Sequence, residues 1–157
     1  MQRSTRRTFL LSATAAALFS RQVRAATGNF EVTRTEAEWR AMLTDTQYLV
    51  MREEKTEKPY FSPLNDETRA GTYICRGCDL PLYASETKYD SGTGWPSFTA
   101  PLGNAVRTKP DNTLFTRRTE VHCRRCGSHL GHIFDDGPAP TGKRHCLNGS
   151  SLVFVAK

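Results

Sequence analysis

The fold of this 157-residue chain is decided by two short segments, Cys75-Arg76-Gly77-Cys78 and Cys123-Arg124-Arg125-Cys126-Gly127. Each contains a Cys-x-x-Cys pair, and two such pairs can hold one Zn²⁺ ion with four thiolates at the corners of a tetrahedron. A site with four protein ligands has no open position, so the pattern predicts a structural ion and not a catalytic one. The alternative is a disulfide within each pair, which an oxidising compartment would favour.

Short β-prone runs separated by Gly and Pro fill the chain from Gly71 onward. They lie at residues 72–74, 82–84, 106–108, 114–116, 120–122 and 152–155. Ahead of them, Thr35-Glu36-Ala37-Glu38 is a capping box that predicts a short helix to about Leu43, and residues 45–53 favour a second helix. A polar run at 53–58 is interpreted as a solvated connection. The pattern predicts a mainly antiparallel β-domain with one or two leading helices.

The first 25 residues have the features of a secretory signal peptide. Arg6-Arg7-Thr8-Phe9-Leu10 opens an apolar run that continues to Phe19 and is too short to span a membrane, and Val23-Arg24-Ala25 is typical of a cleavage site. The start is similar to a twin-arginine export signal. We expect residues 1–25 to be removed and residues 26–157 to form a single exported, periplasmic domain that is not attached to a membrane. The alternative is an anchored or uncleaved N-terminus.

The positive charge of the chain comes mostly from that leader. The full sequence has 22 Lys and Arg against 16 Asp and Glu, a net charge of +6. Removing the five arginines of residues 1–25 leaves 17 bases against 16 acids, a net charge of +1, in residues 26–157. A domain with so little excess charge has no electrostatic footprint for nucleic acid, so we expect no nucleic-acid partner.

Cys146 lies outside both pairs, in the basic sequence Lys143-Arg144-His145-Cys146-Leu147-Asn148. Positive neighbours stabilise a thiolate, which is the nucleophilic form of cysteine. If residues 144–154 form one strand, Arg144, Cys146 and Asn148 share a face and His145 points away. The residues alone fit a nucleophilic Cys146 and an inert, buried, structural Cys146 about equally.

Two further segments contain side chains that suit a functional site. Tyr89-Asp90-Ser91-Gly92-Thr93-Gly94-Trp95-Pro96-Ser97-Phe98 is an irregular loop that fixes the indole of Trp95, either as a binding wall or as packing under a turn. His129 and His132 are three residues apart, so they point to opposite faces of a regular strand. They converge only if Gly131 breaks the strand, and either histidine alone is more often structural.

Together these segments resemble one family, the methionine sulfoxide reductases of the B type, which act on the R epimer. The resemblance rests on the two Cys-x-x-Cys pairs, SGTGWPSF (91–98), HLGHIFDDGPAPTG (129–142) and RHCLN (144–148), and extends over residues 36–155. It implies a mainly β fold of the β-tent type, with two antiparallel sheets and short N-terminal helices. It also implies one structural zinc per chain, away from the active site, held by Cys75, Cys78, Cys123 and Cys126.

The resemblance further implies roles for individual residues. Cys146 corresponds to the catalytic cysteine, and Trp95 to the tryptophan that receives the terminal methyl group of the substrate. His129 and His132 correspond to the histidines that orient and polarise the sulfoxide, and Asn148 to the asparagine that fixes substrate and water. His132 is the first candidate for the acid that protonates the leaving oxygen, with His129 in support.

The implied reaction is the thiol-dependent reduction of methionine (R)-sulfoxide, chiefly in oxidised proteins, through a sulfenic acid at Cys146. Such an enzyme repairs proteins under oxidative stress. Its expected partners are oxidised proteins and a thioredoxin-like or other thiol reductant, and the chain is expected to be a monomer. Many members of the family have a resolving cysteine where this chain has Thr93, so an outside thiol is expected to reduce Cys146 here.

Three other classes of function are compatible with the residues. A secreted, zinc-stabilised binding module would need no chemistry at Cys146. A thiol–disulfide oxidoreductase would use the Cys-x-x-Cys pairs as disulfides and would hold no zinc. A Cys–His hydrolase would transfer acyl groups.

Overall fold

The structure, a computed structural model, describes residues 28–113 and 116–157. The predicted signal peptide at 1–25 lies outside the described residues. Most of the predicted strand at 114–116 lies outside them as well, and Thr116 itself is in a bend. In the part of the chain that the structure describes, no helix is both long enough and apolar enough to cross a membrane.

Two short helices open the described chain, α1 (Glu36–Met42) and α2 (Asp45–Glu53). Both begin with a capping box, in which the side chain of Thr35 or Thr44 accepts a hydrogen bond from the backbone N–H three residues later and the side chain at that position bonds back. These reciprocal bonds satisfy backbone donors that a helix N-terminus otherwise leaves free. Both predicted helices are confirmed.

The described residues then form nine strands in two antiparallel sheets. Their bounds are β1 (Gly71–Cys75), β2 (Pro81–Ala84), β3 (Lys88–Tyr89), β4 (Ser97–Phe98), β5 (Val106–Asp111), β6 (Arg118–Cys123), β7 (His129–Phe134), β8 (Arg144–Leu147) and β9 (Leu152–Ala156). The small sheet has the order β2-β1-β9, and the large sheet has the order β3-β4-β8-β7-β6-β5. The mainly β prediction, with two antiparallel sheets and short leading helices, is confirmed.

The aromatic core lies where the two sheets face each other. Tyr73 on β1 and Tyr83 on β2 belong to the small sheet, and both rings pack against Phe98 on β4 of the large sheet. The ring centroids of Tyr73 and Tyr83 lie 4.9 and 4.7 Å from that of Phe98. All three residues are fully buried, so this contact holds the sheets together through apolar burial.

The chain changes sheets between Leu147, the last residue of β8, and Leu152, the first residue of β9. Residues 144–154 do not form the single strand considered from the sequence: β8 ends at Leu147, and a 3₁₀ turn at Gly149–Ser151 leads into β9. The break is required because β8 pairs within the large sheet whereas β9 pairs with β1 of the small sheet. Asn148 therefore lies at a junction between two strands.

A β-bulge in β7 brings the two histidines to one face. Leu130 is an extra residue in the register of β6 with β7, so the alternation of side chains shifts by one position between His129 and Gly131. The rings of His129 and His132 consequently lie together, with 5.4 Å between their centroids. The two histidines converge because β7 is irregular between them, at Leu130 next to Gly131.

Gly131 permits the close approach of β7 and β8 beside Cys146, and it supplies a test of the fold. A Cβ atom at residue 131 would lie 2.0 Å from the carbonyl oxygen of Cys146. We expect Gly131→Ala to lower the free energy of unfolding by roughly 1–3 kcal/mol, the usual cost of overpacking, because the two strands must move apart.

Gly103→Ala is the matched control, since a Cβ there meets no atom within 4 Å. Denaturant unfolding of both variants measures the difference. Equal stability of the two would contradict the close approach of β7 and β8.

Candidate active site and metal centre

The four paired cysteines meet at the junction of the two sheets. The Sγ atoms of Cys75 and Cys126 are 3.6 Å apart, those of Cys78 and Cys123 are 3.5 Å apart, and all four Sγ atoms lie within 4.8 Å of one another. A tetrahedral zinc with Zn–S bonds of about 2.3 Å separates its sulfurs by about 3.8 Å, so the set fits one such ion. The distances exceed the roughly 2.05 Å of an S–S bond, and the cysteines that the structure describes are free.

Arg76 joins the first cysteine pair to the turn that follows Asn148. Its backbone N–H donates to the carbonyl of Ser151 at 3.0 Å. Its guanidinium donates to the carbonyl oxygens of Ser150 and Leu152, both at 2.7 Å. The metal centre and the end of β8 are thus connected through one side chain.

Cys146 opens into a cavity of about 140 Å³ between β7, β8 and the Trp95 loop. Four of the residues that sequence analysis selects line this cavity, namely Cys146, Trp95, His132 and Asn148. His129 lies in the adjoining cavity of about 230 Å³, and His132 lines both. The structure therefore brings four of the predicted site residues together in one cavity and places His129 in the cavity beside it.

The Cys146 thiol is held on β8 between two neighbouring strands. Residue 146 is paired with Ser97 of β4 on one side and with His132 of β7 on the other. Burial raises the pKa of the thiol above its ordinary value, and Arg144 and Thr93 beside it act in the opposite direction. Arg144 favours the thiolate, as the basic sequence predicts, but desolvation outweighs it, so the net shift of the pKa is upward.

The two residues before Cys146 on β8, Arg144 and His145, have different side-chain partners. Arg144 forms a bidentate ion pair with Asp136, with both N–O distances at 2.8 Å. His145 points away from the cavity, as the alternation of a strand predicts, and its Nδ1 lies 3.0 Å from the Tyr83 hydroxyl. Burial lowers the pKa of His145 to about 4, so its imidazole is neutral near pH 7.

His129 is oriented by a buried carboxylate. Its Nδ1 lies 2.7 Å from Oε1 of Glu120, while His122 Nδ1 lies 2.8 Å from Oε2 of the same side chain. Burial disfavours a charge on Glu120, but the hydrogen bonds from the two histidines lower its pKa to about 2. Because an ionised carboxylate only accepts, His129 donates from Nδ1, and its buried Nε2 has no partner among the described residues.

His132 is oriented by a second carboxylate. Its Nε2 lies 2.8 Å from Oδ2 of Asp111, which also accepts a 2.6 Å bond from Arg118. Burial lowers the pKa of His132, and Asp111 opposes that shift. Burial likewise opposes ionisation of Asp111, yet hydrogen bonds from Thr113, His132 and Arg118 hold its pKa well below the ordinary value. His132 therefore donates from Nε2, and an acid function requires a second proton on Nδ1.

Trp95 and Asn148, which both line the cavity, are both bonded to the backbone of one residue, Glu57. The indole Nε1 of Trp95 donates to the carbonyl of Glu57 at 3.2 Å. The Oδ1 of Asn148 accepts from the N–H of Glu57 at 2.9 Å, and its Nδ2 donates to the carbonyl of Leu130 at 3.1 Å. These bonds fix the side-chain amide of Asn148 in one orientation.

Sequence reasoning missed the three acidic residues that support the site, Glu57, Asp111 and Glu120. Glu57 is only 5 % exposed, although it lies in the polar run at 53–58 that is interpreted as a solvated connection, and that interpretation is wrong at this position. Glu120 directly precedes the buried end of β6 and is 2 % exposed. An acid inside a β-prone run is the one signal that could have identified Glu120, and the local sequence offers no such signal for Glu57.

Comparison with known proteins assigns the family. The SelR domain matches residues 43–156. A peptide methionine sulfoxide reductase MsrB of Agrobacterium fabrum is 48 % identical over 125 residues, which cover 79 % of this chain and 93 % of the relative. An MsrB of Methanosarcina barkeri is 50 % identical over 78 % of this chain and 87 % of its own length. An MsrB of Pseudomonas putida is also 50 % identical, over 79 % of this chain and 94 % of its own length.

These matches extend over both cysteine pairs, the Trp95 loop, the bulged strand β7 and Cys146, all of which lie within residues 43–156. The shared segments thus include the metal centre and the whole cavity around the thiol. The chain belongs to the peptide methionine sulfoxide reductase B family.

Proposed function

We propose that this protein reduces the R epimer of methionine sulfoxide to methionine, chiefly in oxidised proteins, with Cys146 as the nucleophile. Family membership supports the reaction class. The single observation that carries the assignment is the cavity in which the Cys146 thiol, the Trp95 indole, the His132 imidazole and the Asn148 amide meet.

In the proposed reduction step, the Cys146 thiolate attacks the sulfoxide sulfur and the oxygen passes to the cysteine sulfur. The thiolate, the sulfoxide and one proton give a thioether, which is methionine, and a sulfenic acid at Cys146. The proton must reach the oxygen as negative charge develops on it. His132 supplies it from Nδ1, and the Asp111 carboxylate on Nε2 stabilises the imidazolium before transfer.

The shape of the cavity supports selection of one epimer. Trp95 gives an apolar wall on which the terminal methyl group packs, and Asn148 and His132 offer polar groups to the oxygen. The third substituent of the sulfur is the methionine side chain, which has to leave through the mouth of the cavity. A site that fixes methyl, oxygen and chain in three places accepts only one handedness at sulfur.

The catalytic cycle closes with an outside thiol. A thioredoxin-like or other reductant attacks the sulfenic acid, releases water and forms a mixed disulfide with Cys146. A second thiol then releases Cys146 and leaves an oxidised disulfide product. We further propose that the four-cysteine centre holds one structural Zn²⁺, that residues 1–25 direct export to the periplasm, and that the exported domain is a monomer.

The proposed zinc gives the first test of this account. We expect about one zinc per chain in the purified protein, because four thiolates at tetrahedral spacing prefer this ion. Cys75→Ser and Cys123→Ser should each abolish cooperative unfolding or lower stability sharply, since the free energy of binding a structural metal is folding free energy. Metal analysis and thermal unfolding measure both quantities. A metal-free protein that unfolds cooperatively at the same temperature as the zinc-loaded protein would contradict the proposal.

The nucleophile and the acid are tested by turnover of the separated R and S sulfoxides with a dithiol as reductant. We expect activity on the R epimer alone and none in Cys146→Ser. His132→Ala should slow the reduction step by roughly 100- to 10,000-fold, the usual contribution of one acid–base group. Lys157→Ala, at the exposed chain end, is the control. Equal turnover of both epimers, or full activity in Cys146→Ser, would show the assignment to be wrong.

Thr93 determines how long the sulfenic acid survives. A Thr at this position beside Cys146 cannot form a disulfide, and the other four described cysteines form the metal centre. One equivalent of substrate should therefore leave Cys146 open to a sulfenic-acid trapping reagent, with the metal retained and no internal disulfide in a peptide map.

Thr93→Cys should form a disulfide with Cys146 if the loop allows the bonding geometry, whereas Thr93→Ser, the matched control, should behave like the parent. Rapid formation of a disulfide between Cys146 and any of the four metal-centre cysteines would refute this account of regeneration.

A further inference from the structure

Glu57 has a buried carboxylate whose partners are all in the turn after Asn148. Its Oε1 accepts from the backbone N–H of Gly149 at 2.7 Å, and its Oε2 accepts from the N–H of Ser150 at 2.8 Å and from the Ser150 hydroxyl. Such bonds from backbone donors to an ionised oxygen are among the stronger ones in proteins. The carboxylate therefore fastens residue 57 to turn residues that are 92 and 93 positions away in the sequence.

The backbone of the same residue contacts both walls of the substrate cavity. Its N–H holds the Asn148 side chain, and its carbonyl holds the Trp95 indole. Glu57 itself does not line the cavity, although its neighbour Thr56 does. Two lining residues are thus bonded to one peptide segment, and the Glu57 side chain anchors that segment to the turn at Gly149–Ser151.

We propose that Glu57 is a positioning residue that sets the width of the sulfoxide cavity by holding Trp95 and Asn148 at a fixed separation. The inference rests on the proposed function and adds a specificity determinant to it. Glu57 holds the Asn148 amide in two ways. Its carboxylate binds the turn directly after Asn148, and its backbone N–H donates to the amide oxygen itself.

This role predicts a particular kinetic signature. The hydrogen bonds of Glu57 in the described structure go to Trp95, Asn148, Gly149 and Ser150 and not to Cys146 or the two histidines, so its loss should leave the thiol and the acid in place. It should loosen the methyl wall and the amide, which bind the substrate and distinguish its two epimers. A displacement of about 1 Å in groups that position a substrate can lower the rate of reaction by roughly 100-fold.

The test is Glu57→Gln, which keeps the shape but turns an amide N–H₂ toward the N–H of Ser150 or Gly149. Glu86→Gln is the matched control, since that carboxylate pairs with Lys157 on the surface. Single-turnover reduction of methionine (R)-sulfoxide, normalised to the thiol titre, gives the half-saturating concentration and the maximal rate separately. We expect the half-saturating concentration to rise about 10-fold or more in Glu57→Gln, with a smaller change in the maximal rate.

The same variant should reduce the S epimer measurably, whereas alkylation of Cys146 by iodoacetamide should follow the same pH profile as in the parent. A purely structural role would lower the unfolding temperature and the active fraction without altering the epimer preference of the folded protein. Unchanged saturation and epimer preference in Glu57→Gln would overturn the inference. A parent protein inactive on both epimers would instead overturn the proposed function.

A milder variant and a double-mutant cycle keep the test decisive if Glu57→Gln folds poorly. Ser150→Ala removes one bond to the carboxylate from a residue outside the cavity, and it should raise the half-saturating concentration in the same direction by a smaller factor. Trp95→Phe keeps an apolar ring but loses the bond to the Glu57 carbonyl, so combining it with Ser150→Ala should cost less than the product of the two single effects. The positioning role would be contradicted if Ser150→Ala left the half-saturating concentration unchanged and the double variant showed only the effect of Trp95→Phe.

Discussion

The meeting of four cysteines at the junction of the two sheets is the constraint on which the rest of the molecule depends. Cys75 ends β1 of the small sheet and Cys123 ends β6 of the large sheet, so one ion bound to all four thiolates joins the sheets covalently in effect. Arg76 extends that joint to the turn after Asn148. The four-cysteine centre is therefore connected by hydrogen bonds to the turn that follows the cavity residue Asn148, although none of the four cysteines lines the cavity.

Three carboxylates, of which Glu57 and Glu120 are buried and Asp111 is partly buried, hold the side chains of the site. Glu120 orients His129, Asp111 orients His132, and Glu57 clamps the turn after the active-site strand. A buried charge is tolerated only when it is paired and hydrogen-bonded, so each acid specifies one arrangement of its partners. The raised pKa of Cys146 and the lowered pKa of His132 have the same origin, since both side chains are desolvated in the same wall of the large sheet.

The sequence predicts those parts of the fold that rest on local patterns. The capping box at Thr35 located the first helix, the run at residues 45–53 indicated the second, and the Cys-x-x-Cys spacing identified four residues that the structure brings within metal-binding distance. The bulge at Leu130 and the end of β8 at Leu147 were not predictable, because each depends on register with a neighbouring strand. The role of Glu57 was not predictable either, because the partners of its carboxylate, Gly149 and Ser150, are distant in the sequence.

The central claim is that a single thiol, Cys146, supplies the electrons for one round of reduction. The most direct measurement mixes fully reduced, metal-loaded protein with excess methionine (R)-sulfoxide in the absence of any other thiol and counts the methionine released per chain. We expect one methionine per chain and none when Cys146 is alkylated beforehand. Release of no methionine, or of an equal amount from the alkylated protein, would contradict it.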